Sequence, residues 1–485
     1  MSSLAATLQV PRKPLLWGFG ILVVLSLFLA ITTEYYFLAG IPLAALIGFV
    51  TITDFKLVFY LLLACLPLSM EVNLPGGFGT DLPSEPLMLL LMGVTIFYVL
   101  AEWQNIKSRF LLHPVTLLLL LHIGWIVLTT ITSKDLVISI KFVLAKIWYV
   151  TTFYFLASII FKKPKRIKRM VWAVTIPMVF TILVILFKHA GYGFSFVSIN
   201  KAVSPFYRNH VSYACLVALM FPMVWMATGW YKRWSWKWMF LVLVVLISLV
   251  GIYFSYTRAA YVTIFMALGG YFIIKWRLVR YTLLAAIIAV SALVGYLAYN
   301  NNYLDYAPNY NKTITHKNFD NLLEATYKGE DISTMERVYR WVAAFYMSKE
   351  ARLTGYGPGN FVNFYKPYAV TSFITYVSDN PERSGVHCYY LMTLVEQGLP
   401  GFLIFILLLF AVFIKGENVY HSTSNKERQN LVMMALLSLI TMSGLLLIND
   451  MVETDKLGPF FFMTFAIIVN QDIQNKNQAS KTEDL

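Results

Sequence analysis

The chain has 485 residues, 58% of them hydrophobic and 13% charged, with a formal net charge of +14. Soluble domains carry about 25% charged residues, so a cytosolic enzyme, a disordered scaffold and a disulfide-built secreted module are excluded. Apolar stretches long enough to span a bilayer recur from end to end. The expected fold class is an all-α polytopic membrane protein with about 12–14 transmembrane helices.

The first apolar run, Leu15–Thr33, is followed by no small-residue cleavage site and reads as a retained anchor. Tyr36–Thr53, Leu57–Met70, Leu87–Ala101, Pro114–Thr132, Leu136–Phe161 and Met170–Phe187 come next. Val211–Ala227, Met239–Tyr256, Ala259–Ile274 and Tyr281–Ala298 complete an N-terminal bundle over residues 1–298, about 11 spans. With the N-terminus inside, Arg12, Lys13, Lys107, Arg109, the run Lys162–Arg169, Lys232, Arg233, Lys237, Lys275, Arg277, Arg280, Lys426 and Arg428 fall on one side. The charge excess is therefore a positive-inside topology signal, and no nucleic-acid partner is expected.

Residues 299–386 form one long loop on the outer face, with acids and bases in balance. Loops of this length are usually functional. Ser333-Thr-Met-Glu336 reads as a capping box opening an amphipathic helix over about 334–349. Val338, Trp341, Val342 and Phe345 supply its apolar stripe. The turn cluster Gly355-Tyr-Gly-Pro-Gly-Asn360 follows. His387–Ile414, Leu431–Ile448 and Pro459–Val469 are the spans of a C-terminal unit over 387–471, and 472–485 is an inner tail. Cys65, Cys215 and Cys388 are scattered and offer neither a metal-ligand spacing nor a disulfide framework.

Three outer-face positions carry candidate chemistry. Arg258 sits in the short turn Phe254-Ser-Tyr-Thr-Arg-Ala-Ala260, where a guanidinium can hold a phosphate bidentately or snorkel to lipid headgroups. Arg337 lies in the first turn of the loop helix, where the helix dipole opposes a cation unless an anion sits between; Arg340, one turn on, competes with it. His387 stands at the outer mouth of the next span, with a side chain suited to accept a proton from a hydroxyl, or to serve as a hydrogen-bonded packing residue. A base and two arginines on one face suit glycosyl transfer from a pyrophosphate-linked lipid. There an acceptor hydroxyl loses a proton while charge builds on the departing pyrophosphate.

His387 followed by Glu396 and Gly398-Leu-Pro-Gly401 resembles the His-Asn…Glu-x-Gly-x-x-Gly segment of the O-antigen ligase and polymerase-like bacterial membrane glycosyltransferases. Cys388 stands where that family has an amide or serine. Arg337 with Trp341, Leu353-Thr-Gly-Tyr-Gly-Pro-Gly-Asn-Phe361, Ser255-Tyr-Thr-Arg258 and Ser204-Pro-Phe-Tyr-Arg-Asn-His210 are similar to further segments of the family, in the same order. The resemblance covers about Ser204 to Gly401 and implies a GT-C-like helical fold. It also implies a metal-independent inverting transferase with no cofactor, in the bacterial inner membrane with both termini cytoplasmic and the loop periplasmic. The donor would be a glycan on undecaprenyl pyrophosphate, and the acceptor lipid A-core or another glycan or protein. By the same resemblance His387 is the base, and Arg258 and Arg337 hold the pyrophosphate. Lys141, Lys146 and Arg208 are further candidates for that charge, while Asn209, Glu396, Gly398 and Gly401 support the motif.

Ligase, polymerase and protein O-oligosaccharyltransferase share this donor chemistry, and no acceptor signature separates them. A lipid-linked glycan flippase would instead place ionisable residues along the spans and show internal repeats. A metal-dependent enzyme would use Asp450, Glu453 and Asp455 in the last outer loop, three acids that a solvated turn also explains.

Overall fold

The structure is a computed structural model describing residues 12–74, 78–102, 108–306, 332–369 and 384–483. Its long helices are α1 (Arg12–Thr33), α2 (Ile41–Cys65), α3 (Ser84–Ala101), α4 (Pro114–Ile131), α5 (Leu136–Ile160), α6 (Pro164–Ala190) and α7 (His210–Thr228). They continue with α8 (Trp236–Tyr253), α9 (Arg258–Lys275), α10 (Val279–Ala298), α11 (Ile332–Glu350), α12 (Tyr389–Ser422), α13 (Lys426–Leu445) and α14 (Gly458–Glu483). Among the described residues, 11 candidate membrane spans are long and apolar enough to cross a bilayer. The chain is a helical polytopic membrane protein.

The predicted spans Tyr36–Thr53 and Leu57–Met70 join into one interrupted helix. Asp54 leaves helical geometry at φ −148° and ψ 80°, and its carboxylate accepts the Lys56 N–H at 3.2 Å, restarting the helix. α13 and α14 are not among the 11, yet they form the centre of the bundle. α13 is buried around its whole circumference from Leu431 to Leu439, as is α14 from Phe460 to Val469. A helix apolar on every side belongs inside a larger bundle. α14 runs on through the predicted tail, where Arg428 donates to Gln471, Asn475 and Gln478.

One element departs from the all-α expectation. Met70–Leu74 and Phe78–Leu82 pair as an antiparallel hairpin, Val72 opposite Thr80. The Pro75-Gly76-Gly77 sequence between them is the signal for it.

The register of α9 on α13 fixes the level of the site. A Cβ on Gly270 would lie 2.5 Å from Ile440 Cδ1, and one on Gly444 would lie 2.7 Å from Met266 Sδ. The absent side chains let the two backbones approach closely, as is usual between membrane helices. The helices therefore run antiparallel, which brings the start of α9 level with the chain just beyond α13. At the other end of α13 lies the basic run Lys162–Arg169, where Lys168 pairs with Glu427 at 2.7 Å and Tyr60 donates to the Arg166 carbonyl at 3.0 Å.

Candidate active site

The site is built where the chain arrives at α12. That helix is broken at Gly398, whose φ is +70° and whose absent Cβ would meet the Leu353 carbonyl at 2.2 Å. Only glycine accepts both conditions. Gly398 is a left-handed break that docks the glycine-rich turn. Leu399 N–H donates to Arg352 O at 2.8 Å, Tyr356 N–H to Val395 O at 2.9 Å and Gly357 N–H to Glu396 O at 2.9 Å. The Glu396 carboxylate accepts the N–H groups of Gly359 at 2.8 Å and Phe361 at 3.1 Å.

The opposite side of the turn lies on the junction of α4 and α5. Lys134 N–H donates to Tyr356 O at 3.0 Å, and Asn360 donates to the Ser133 and Ser139 hydroxyls at 2.7 and 2.9 Å. A Cβ on Gly357 would strike Ser133 Oγ at 2.2 Å. Gly401 faces Trp125, whose Nε1 donates to Gln397 O at 2.8 Å, and His122 pairs with the Gln397 side chain at 2.9 Å. Glu396 and Gly398 thus hold the loop to α12, and Gly401 packs α12 on α4.

α11 lies against α12, and of the apolar stripe Val338, Trp341 and Val342 are half-buried. The buried residues are Tyr339, Arg340, Ala343, Ala344 and Met347, whereas Phe345 is exposed. Two adjacent alanines let this face approach, and Arg340 is carried in with it. Its Nη1 donates to Gly385 O at 2.8 Å. The side chains of the predicted capping box, Ser333 and Glu336, lie outside the described residues. Tyr365 is buried and stacks on Phe361, while Tyr368 bonds Tyr356 at 2.7 Å.

His387 is half-buried at the end of this construction, with a left-handed φ of +56°. Its backbone N–H donates to Asp450 Oδ2 at 2.8 Å. Burial, then the positive charges of Arg337 and Arg340, push the imidazole down to about 3, so it is neutral across the physiological range. Asp450 lies between α13 and α14, where burial raises its carboxyl to about 6 against the opposing N–H groups of His387 and Cys388 and the charge of Arg340. Lys146 is buried and ion-paired to Glu453, and its Nζ donates to Tyr389 Oη at 3.2 Å.

The structure thus brings His387, Arg337 and Arg340 together and sets Lys146 beneath them. Arg258 opens α9 at the same end of the bundle and is half-buried. Lys141 and Arg208 are exposed. Asn209 caps α7, accepting the Ser212 N–H at 2.9 Å. The three acids considered as a metal set part company: Asp450 serves the His387 turn, Glu453 serves Lys146, and Asp455 accepts the Ser69 hydroxyl at 2.9 Å.

Residues 243–406 match the family described as O-antigen ligase. The matched segment runs from α8 through the outer loop into α12 and contains Arg258, Arg337, His387, Glu396, Gly398 and Gly401. A search of the curated proteins returns no match. The chain is thus a membrane-embedded helical bundle in which residues 243–406 are similar to the O-antigen ligase family, and that similarity supports a glycosyltransferase-type ligase or polymerase.

Proposed function

We propose that the protein is an inverting, metal-independent glycosyltransferase that moves a glycan from undecaprenyl pyrophosphate to an acceptor hydroxyl at the periplasmic face of the bacterial inner membrane. The acceptor we favour is lipid A-core, which makes the protein an O-antigen ligase. The observation that carries this reading is the juxtaposition of His387 with Arg337 and Arg340 inside the ligase-matched segment, where burial and the two cations favour the neutral imidazole. A neutral ring has a lone pair to take a proton, and two fixed cations suit a departing pyrophosphate.

In this reading the acceptor oxygen attacks the anomeric carbon while the bond from that carbon to the pyrophosphate oxygen breaks, inverting the centre. The hydroxyl proton passes to His387, and the pyrophosphate leaves between the arginines. As found, burial and then the two guanidiniums make the imidazole a weak base. A bound pyrophosphate offsets their charge and raises its basicity, so donor binding prepares the base for the acceptor. Arg258, level with this site, supplies further charge to the donor.

The test is transfer by purified protein in nanodiscs, given undecaprenyl-pyrophosphate glycan and lipid A-core in EDTA. The reading expects release of undecaprenyl pyrophosphate by the wild type, with His387→Ala and Arg337→Ala folded but inactive. Wild-type turnover in both variants would remove the proposed site. Transfer to a second glycan chain or to a protein, and not to lipid A-core, would make the protein a polymerase or an oligosaccharyltransferase.

A further inference from the structure

We infer that the connection between α13 and α14, Leu446–Leu457, is the element that positions His387, and that Asp450 is its positioning residue. The argument begins from backbone geometry. A non-glycine residue with a φ of +56° is uncommon and disfavoured unless its surroundings hold it there. Left-handed geometry in a turn points successive N–H groups toward one spot, creating a concavity that suits an anion. Here the anion is the Asp450 carboxylate, which accepts the His387 N–H at 2.8 Å and also the Cys388 N–H.

Two further contacts close the turn around that carboxylate. A Cβ on Gly385 would sit 2.5 Å from Asp450 Oδ2, so the carboxylate occupies the space a side chain would need. Arg340 holds the carbonyl of the same glycine from the α11 side at 2.8 Å. Asp450 and Arg340 therefore grip opposite polar groups of the turn, and the ring of His387 projects from it.

A clamp is useful only if it is itself fixed, and the connection is anchored on both sides of Asp450. Before it, Leu446 O accepts the Tyr389 N–H at 2.9 Å. After it, Glu453 accepts the Tyr389 hydroxyl at 2.6 Å and pairs with Lys146. Farther on, Asp455 accepts from Ser69 at 2.9 Å and Ser84 at 3.4 Å, beside the two ends of the hairpin. Lys456 donates to the Leu66 and Ser69 carbonyls at 3.0 and 2.7 Å. The acids of this loop form one clamp and two anchors.

The catalytic consequence rests on His387 acting as proposed above; the geometric claim does not. The experiment therefore reads both, in nanodisc-held Asp450→Asn, Asp450→Glu and Arg340→Lys. The first readout is the rate at which diethyl pyrocarbonate modifies His387, mapped by peptide mass spectrometry without substrate. The second is turnover at saturating donor. Asp450→Asn is expected to change the His387 modification rate severalfold and lower kcat by roughly 10²-fold, with the acceptor KM within about threefold of wild type. Asp450→Glu is expected to recover part of both, and Arg340→Lys to shift the same modification rate even if the asparagine variant folds poorly. An unchanged modification rate in Asp450→Asn and Arg340→Lys would overturn the inference, whatever happens to turnover. A changed rate in a protein whose His387→Ala variant still transfers glycan would keep the positioning role and remove His387 as the base.

Discussion

Glu396 Oε2 accepts the backbone N–H of Gly359 at 2.8 Å, joining a buried carboxylate of the twelfth helix to the glycine-rich turn of the outer loop. Its other oxygen takes the Phe361 N–H at 3.1 Å, so one side chain satisfies two donors of a chain that has no regular structure to pair with. The loop that carries Arg337 and Arg340 is thereby tied to the helix that follows His387. Loop position and site geometry are one problem in this protein.

The first prediction concerns that tie. Glu396→Ala leaves two N–H groups without an acceptor, each worth about 1–3 kcal/mol when buried. Glu396→Gln keeps one acceptor oxygen and is expected to lose less. Thermal unfolding of the two variants in detergent checks the order, and limited proteolysis of the outer loop should accelerate in the same order. Equal stability of Glu396→Ala and wild type would show that the turn holds without the carboxylate.

Gly398 gives a sharper version of the same test. Any side chain there meets the Leu353 carbonyl and must adopt a φ of +70°. Gly398→Ala is expected to cost about 2 kcal/mol or more, from strain and from the displaced turn. Gly295, by contrast, has nothing within 4 Å of its Cβ position, so Gly295→Ala is expected to be neutral or slightly stabilising. A thermal-shift comparison of the two alanine variants separates a structural glycine from an incidental one.

Much of this was legible in the residues, and what was not has a physical cause. Long apolar runs declare membrane helices because the bilayer leaves the backbone no other partner, so most spans could be read directly. Asp54 was harder: it lies between two apolar runs read as separate spans, whereas its side chain restarts the same helix. The buried face of the loop helix was not legible, because two alanines and an arginine look polar or neutral beside Trp341 and Phe345, yet they allow the closer approach. His387, Arg337 and the glycine turn could be singled out by type and order. The roles of Asp450 and Glu453 could not, since each depends on a partner more than sixty residues away.

The pH dependence follows from two groups shifted in opposite directions. His387 is held down to about 3, so no loss of activity between pH 8 and 5 is expected from its protonation in the free enzyme. Asp450 is raised to about 6, and protonation there weakens its grip on the His387 and Cys388 N–H groups, so activity should fall as the pH drops through about 6. The stability signs differ. The depressed imidazole contributes stability that is full above its unfolded value of about 6.5 and is lost as pH falls toward 3. The raised carboxyl makes the charged form unfavourable in the folded state, so protonation below about 6 offsets part of that loss. A pH–rate profile of Asp450→Asn, lower throughout but lacking the step near 6, checks the assignment. Persistence of the step in that variant would move it to another group.

Lys146 supports two opposed expectations, and a double mutant separates them. If its task is the buried pair with Glu453, Lys146→Met leaves the carboxylate without its cation and destabilises by about 3 kcal/mol, since Glu453 remains partly exposed. Glu453→Gln alone is expected to cost a similar amount, and the double variant to recover most of it, because two neutral groups replace two charges. Donor KM should then return with stability. If Lys146 instead holds the pyrophosphate, removing Glu453 cannot restore it, and the donor KM stays raised in the double variant even when the unfolding temperature recovers. Its burial, with Nζ near both Tyr389 Oη and Glu453, favours the pair. Measuring unfolding temperature and donor KM together on the three variants decides between an anchor for the start of α12 and a further cation for the donor.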